Sequence, residues 1–102
     1  MTGGTPRDVF LVAGEKSGDE LGYKLMRALR EASGGQVRLR GVGGEAMERE
    51  GLKSLFPQSD IAVMGFLPVI ARLPTLLRRI RETADAVIAN PPDVLVIIDS
   101  PD

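Results

Sequence analysis

In Ala13-Gly14-Glu15-Lys16-Ser17-Gly18-Asp19, two glycines, a hydroxyl and charges of both signs fall within one short stretch. Glycines let a backbone approach a ligand closely, and a helix opening there would offer unpaired N–H groups to an anion. Lys16-Ser17 resembles the end of a P-loop, but that motif needs a glycine directly before the lysine, and Glu15 stands there. A nucleotide P-loop is therefore not expected. The spacing leaves two readings open, an anion site or a well-capped turn between a strand and a helix. A second stretch, Gly41-Val42-Gly43-Gly44-Glu45-Ala46, matches the dinucleotide pattern G-x-G-x-x-A. That fingerprint needs a first strand and a full helix aimed at a pyrophosphate. Here it follows the second strand, and its helix stops at Gly51, so a tight turn is the better reading. At the far end, Ile98-Asp99-Ser100-Pro101-Asp102 places a carboxylate after an apolar strand. Asp99 there is either a turn former before proline or a general base for a hydroxyl within hydrogen-bond reach.

One stretch is rich in surface chemistry rather than catalysis. Between Asp60 and Arg79 the apolar residues outnumber what one helix face can bury, and arginines flank them. Three uses fit: an interfacial element meeting anionic head groups, the lining of an acyl-chain groove, or the core side of a kinked helix.

These residues must be held by alternating strands and helices. Asp8 to Ala13 is a short run apolar on both faces, which suits an internal parallel strand. Ser17 is expected to cap the following helix, with Glu20 completing a capping box. Leu21, Leu25, Met26, Leu29 and Ala32 then form the expected buried stripe, ended by Gly34-Gly35. Val37 to Val42 is a more polar strand, expected near an edge, and Glu45 to Glu50 a brief helix. Residues 52–65 follow no clear period. From Leu73 a helical face returns through Leu76, Leu77, Ile80, Ala84, Val87 and Ile88, with Pro74 in its first turn and Pro91-Pro92 beyond its end. Val94 to Ile98 is the most apolar strand and is expected to be central. The alternation predicts right-handed βαβ units in an α/β, doubly wound parallel sheet. A strand so close to the end would lack its flanking helices and expose Val94, Val96 and Ile98. The chain is therefore expected to be an incomplete domain.

Composition narrows the chemistry further. With 43% hydrophobic and 26% charged residues the chain is ordinary globular material, and its length fits one domain at most. It has no cysteine and no histidine, which removes disulfides, thiolate chemistry and the usual zinc ligands. A net charge of −1 gives no reason to expect nucleic acid. Met1 to Arg7 has no basic region followed by a long apolar run, so a cleaved signal is not expected. The sequence has no 18-residue apolar stretch, and a cytoplasmic location is the plain expectation.

Taken in order, the motifs resemble those of the lipid A disaccharide synthase family. The resemblance is carried by Val12-Ala13-Gly14-Glu15-x-Ser17-Gly18-Asp19-x-Leu21-Gly22, by Gly41-Val42-Gly43-Gly44 with Met47 and Gly51, by Ala62-Val63-Met64-Gly65, and by Pro92-Asp93-Val94 leading to Ile98-Asp99-x-Pro101-Asp102. It covers nearly the whole chain. Lys16 departs from the small residue the family tends to have there.

The resemblance implies the Rossmann-like N-terminal, acceptor-side domain of a two-domain GT-B glycosyltransferase, whose C-terminal nucleotide-binding domain is not in this sequence. It implies transfer of 2,3-diacylglucosamine from UDP-2,3-diacylglucosamine to the 6-hydroxyl of 2,3-diacylglucosamine 1-phosphate, with inversion, giving a β-1,6 disaccharide 1-phosphate and UDP. No metal or cofactor is implied. By the same resemblance Asp99 is the catalytic base, and Gly14, Glu15, Ser17, Gly18 and Asp102 contact substrate. Phe66, Leu67, Val69, Ile70, Leu73, Leu76 and Leu77 would meet acyl chains or an anionic membrane surface, placing the enzyme peripherally on the cytoplasmic face of the inner membrane. The 102-residue piece alone is expected to be inactive. A non-catalytic Rossmann-like module binding a nucleotide or an anion is the alternative.

Overall fold

The computed structural model describes residues 8–61 and 69–98. Strand β1 (Asp8–Ala13) pairs in parallel with β2 (Arg38–Val42) on one side and β3 (Val94–Ile98) on the other, in the order β2-β1-β3. The register sets Val12 beside Val42 and Ala13 beside Ile98, so all three strands bring their carboxyl ends to one edge. In open α/β sheets this is the edge that binds ligands. The opposite edge is closed by polar contacts. Arg40 Nε donates to Asp8 Oδ1 at 2.9 Å, Asp93 N–H donates to the Asp8 carbonyl at 2.8 Å, and Asp8 N–H donates to Asp93 Oδ2 at 2.9 Å.

Side chains alternate across each strand. Val9, Leu11 and Ala13 point to one face, where they meet helix α1 (Lys16–Ser33), helix α2 (Glu45–Arg49) and Leu52 in a core centred on Met26 and Met47. Val12, Leu95 and Ile97 point to the other face, toward helix α3 (Val69–Ala89). With helices on both faces of a parallel sheet, the architecture is α/β and doubly wound.

Several sequence expectations are corrected. Helix α1 opens at Lys16 with Glu15 as its N-cap, in extended backbone (φ −144°, ψ 166°), so Ser17 lies in the first turn and forms no capping box. Of the expected stripe, Met26 is buried and Leu25 and Leu29 pack against the core, whereas Leu21 is 54% exposed and Ala32 is also exposed. The buried positions of the helix are Gly18, Asp19, Gly22 and Met26. The glycines explain the rotation. A Cβ on Gly22 would sit 2.5 Å from Met47 Sδ, so the helix approaches α2 on its smallest residues and turns Leu21 outward. The C-terminal signal holds, with Gly34 left-handed (φ 65°) and its N–H and that of Gly35 returning to Glu31 and Arg30 carbonyls.

Helix α3 begins before the expected turn, so Pro74 is its sixth residue and lies inside it. Proline has no N–H for the carbonyl four residues back, here that of Ile70. Within the described sheet β1 takes both ladders and β3 pairs on one side only. Val96 and Ile98 pack on the α1 side, and the exposed residues are Val94, Leu95 and Ile97. The segment without clear period resolves in part. Ser54 bridges to Gly41, Leu52 and Phe56 are buried, and Gln58–Asp60 form a 3-10 turn. No helix among the described residues is long and apolar enough to cross a membrane.

Candidate functional site

The loop from β1 to α1 stands at the carboxyl edge of the sheet. Gly14 is half-buried, Glu15, Lys16 and Ser17 are exposed, and Gly18 is buried. The helix opens there by donating the Asp19 N–H to the Glu15 carbonyl at 2.9 Å. Gly18 rests on the end of β3: a Cβ added to it would lie 3.4 Å from Ile98 Cγ2, 3.5 Å from the Ile98 carbonyl oxygen and 3.5 Å from Ala13 Cβ. These are ordinary van der Waals distances, so the first turn of α1 lies directly against the last residue of β3.

Two polar side chains fix this loop from the other side. Gln58 Nε2 donates to the carbonyls of Ala13 (2.6 Å) and Glu15 (3.2 Å), on either side of Gly14. Asp19, 4% exposed, is the buried charged side chain of the described residues. Its Oδ1 accepts from Gly44 N–H (2.9 Å) and Met47 N–H (3.0 Å), and its Oδ2 from Ala46 N–H (2.9 Å). The first amides of a helix have no partner within it. Asp19 supplies one for α2 from a different helix, in place of the cap that Gly44 cannot provide. An ionised acceptor on several N–H donors makes strong hydrogen bonds, and burial raises the cost of losing them.

That arrangement also disposes of the dinucleotide-like stretch. The amides a pyrophosphate would need are held by Asp19, as the tight-turn reading expects. Gly41 is required for backbone reasons: its φ is +140°, and a Cβ would come within 1.8 Å of the Leu11 carbonyl oxygen. Gly43 N–H donates to Ser54 Oγ at 3.1 Å, and Ser54 Oγ donates to the Phe56 carbonyl at 2.7 Å.

A polar cleft of about 390 Å³ lies between the first turn of α1 and α2, with Lys16, Glu20, Glu45 and Arg49 on its walls and Gln58 at its side. A second cavity, of about 420 Å³, lies on the other face between the sheet and α3. Val12, Ile61, Ile80, Val87 and Ile97 make it almost wholly apolar. Arg79 braces that side. It bonds Asp60 at 2.7 Å and Glu82 at 2.7 Å, and its guanidinium lies 5.0 Å from the Phe56 ring centre. The bonds to Glu82 and then Asp60 raise the Arg79 pKa above its ordinary value.

Of the sequence-derived site residues, Gly14, Glu15, Ser17 and Gly18 share one turn, placed against Ile98. Asp99 follows Ile98 directly in the chain, but Asp99 and Asp102 lie outside the described residues, as do Phe66 and Leu67. Val69 and Ile70 belong to the first turn of α3. Farther along that helix, Leu73 and Leu77 are 43% and 58% exposed and Leu76 is half-buried. Asp19 and Gln58 were not among the expected site residues. A carboxylate spaced with Gly18, Gly22 and Met26 on one helical stripe is the signal that marks Asp19 as buried and partnered. Nothing local marks Gln58.

The family model for lipid-A-disaccharide synthetase matches residues 9–102. Lipid-A-disaccharide synthases similar to this chain include that of Nitrobacter winogradskyi, 62% identical over 96 residues that make up 94% of this chain and 24% of the relative. That of Bradyrhizobium diazoefficiens is 54% identical over 103 residues, 100% of this chain and 26% of the relative. That of Rhodospirillum centenum is 53% identical over 97 residues, 95% of this chain and 24% of the relative. The chain thus spans about a quarter of the length of these curated relatives. It belongs to the lipid-A-disaccharide synthetase family.

Proposed function

We propose that this chain is the acceptor-side part of a glycosyltransferase of lipid A synthesis, in which Asp99 acts as general base. The observation that carries the reading is the seat of the Gly14–Gly18 turn on Ile98, the residue before Asp99, at the carboxyl edge of the sheet. A sugar hydroxyl is a weak nucleophile, and a carboxylate taking its proton in the transition state contributes typically ~10²–10⁴-fold. In the proposed reaction the 6-hydroxyl of 2,3-diacylglucosamine 1-phosphate gives its proton to Asp99. Its oxygen attacks the anomeric carbon of UDP-2,3-diacylglucosamine, and the bond to the diphosphate breaks with its electron pair leaving on UDP. One displacement inverts the α-linked donor to a β-1,6 product. Gly14, Glu15, Ser17, Gly18 and Asp102 would contact the sugars around that hydroxyl.

Both substrates carry acyl chains, so the enzyme must meet them at a lipid surface. The exposed Leu73 and Leu77, with Arg78 exposed beside them, fit a peripheral contact on an anionic surface. The family resemblance adds Phe66, Leu67, Val69, Ile70 and Leu76 to the same proposed contact. The test is product analysis with the full-length enzyme and both acylated sugars in mixed micelles. The reading expects one UDP for each disaccharide 1-phosphate, with the β configuration at the new linkage. UDP release without disaccharide, or an α linkage, would overturn it.

A further inference from the structure

Asp19 and Gln58 hold the same short segment from two directions. Gln58 bonds the carbonyls flanking Gly14, and Asp19, one turn later, is locked to the amides of α2. The opposite side of that turn faces the end of β3. It bears through Gly18 on Ala13 and on the backbone and side chain of Ile98. The first turn of α1 is therefore a wedge between α2 and the end of β3. Asp19 and Gln58 bond it on the side away from Ile98. Among the described residues Asp19 is the buried charged group, and its bonds span 25 to 28 positions in sequence. A local cap for α2 would need no such reach. A serine or aspartate at position 44, in place of Gly44, would give the helix a cap of its own.

We propose that Asp19, with Gln58 as its second tie, is a positioning residue of the transfer reaction, setting the place of the Gly14–Gly18 turn against the strand end that leads into Asp99. The proposal rests on the reading of Asp99 as base. Misplacement of reacting groups by about 1 Å can cost ~10²-fold in rate. Asparagine keeps the shape of Asp19 but turns an N–H₂ toward amides that need an acceptor, so the wedge shifts while the core around it remains.

The test is a double-mutant cycle on kcat and KM in the full-length enzyme, with Asp19→Asn, Asp99→Asn and the double variant, each checked for a cooperative melt. Asp19→Asn is expected to lower kcat ~10-fold or more while KM changes less than ~2-fold, and to lower the rate of Asp99→Asn by less than ~2-fold. Normal turnover in Asp19→Asn, or a full multiplicative loss in the double variant, would overturn the proposal and leave Asp19 a purely structural cap. If Asp19→Asn does not fold, Gln58→Ala takes its place in the cycle, with the same outcomes deciding. Normal turnover in Asp99→Asn alone would sink the base assignment instead. The two ties would then be judged by their own split between kcat and KM, a selective loss in kcat supporting them and an equal loss in fold and KM counting against them.

Discussion

The two faces of the sheet are built by different means. On the α1 and α2 face, helices approach on glycines. Cβ atoms on Gly22 or Gly43 would each lie 2.5 Å from Met47 Sδ, and Met26 and Met47 are fully buried between the layers. Polar ties cross this face at Asp19, Gln58 and Ser54. On the α3 face, large aliphatic residues stand opposite one another across a cavity of about 420 Å³, and Ile80 and Ile88 are mostly exposed. Small residues bring elements close and fix them in one geometry, which is what a site at the strand ends needs. Branched residues with no glycine between them leave a looser, apolar layer.

The contrast can be broken most easily at Gly41. Gly41→Ala must clear the Leu11 carbonyl from a positive φ, so a loss above ~4 kcal/mol and no cooperative melt are expected in the full-length enzyme. A near-normal melting temperature would mean the strand ends are not held as described. Next, Met47→Ala should cost ~2–5 kcal/mol from a site with no exposure, against under ~1 kcal/mol for Ile88→Ala at 73% exposure. Equal losses in denaturant melts would show that another part of the full-length protein covers the α3 face, and the comparison would be redrawn there. A finer distinction lies within α1. Gly22→Ala has to displace the buried Met47 side chain and should cost ~1–3 kcal/mol. Gly18→Ala makes ordinary contacts of 3.4–3.5 Å and should be neutral or gain up to ~1 kcal/mol from helix propensity. Reversal of that order in thermal melts would contradict the close approach of α1 and α2. The smallest effect on stability belongs to Leu73→Ser with Leu77→Ser. Both side chains are exposed, so the fold should be spared. Sedimentation with anionic vesicles should nevertheless fall, and wild-type binding should weaken with salt. Unchanged sedimentation together with a lost melt would place these leucines in a core.

Much of this was legible because local rules suffice for it. The apolar run at β1, the glycines after α1 and the short helix after Gly44 follow from period and breaker residues alone. What was not legible depends on partners far along the chain. Ser17 and Glu20 have capping-box spacing, yet the extended residue before α1 is Glu15, whose carbonyl accepts from Gln58 far along the chain. Asp19 has the sequence appearance of an acidic residue in a first helical turn, and its partners are the amides of another helix. Pro74 suggested a helix start, but α3 runs past it. The apolar character of β3 suggested a central strand, and in the described sheet it pairs with β1 alone. Of the candidate site, sequence reading brought Gly14 to Gly18 together, and it did not anticipate the two residues that tie the loop.

The central claim, that this strand end carries the base of a glycosyl transfer, is tested most directly by turnover of Asp99→Asn beside Asp102→Asn in the full-length enzyme. Asparagine keeps the shape but cannot take the hydroxyl proton. A fall in kcat of at least ~10²-fold for Asp99→Asn is expected, with little change in KM, a normal melt, and a much smaller effect for Asp102→Asn. Near-normal turnover of a well-folded Asp99→Asn variant would contradict the account and leave Asp99 a turn residue before Pro101.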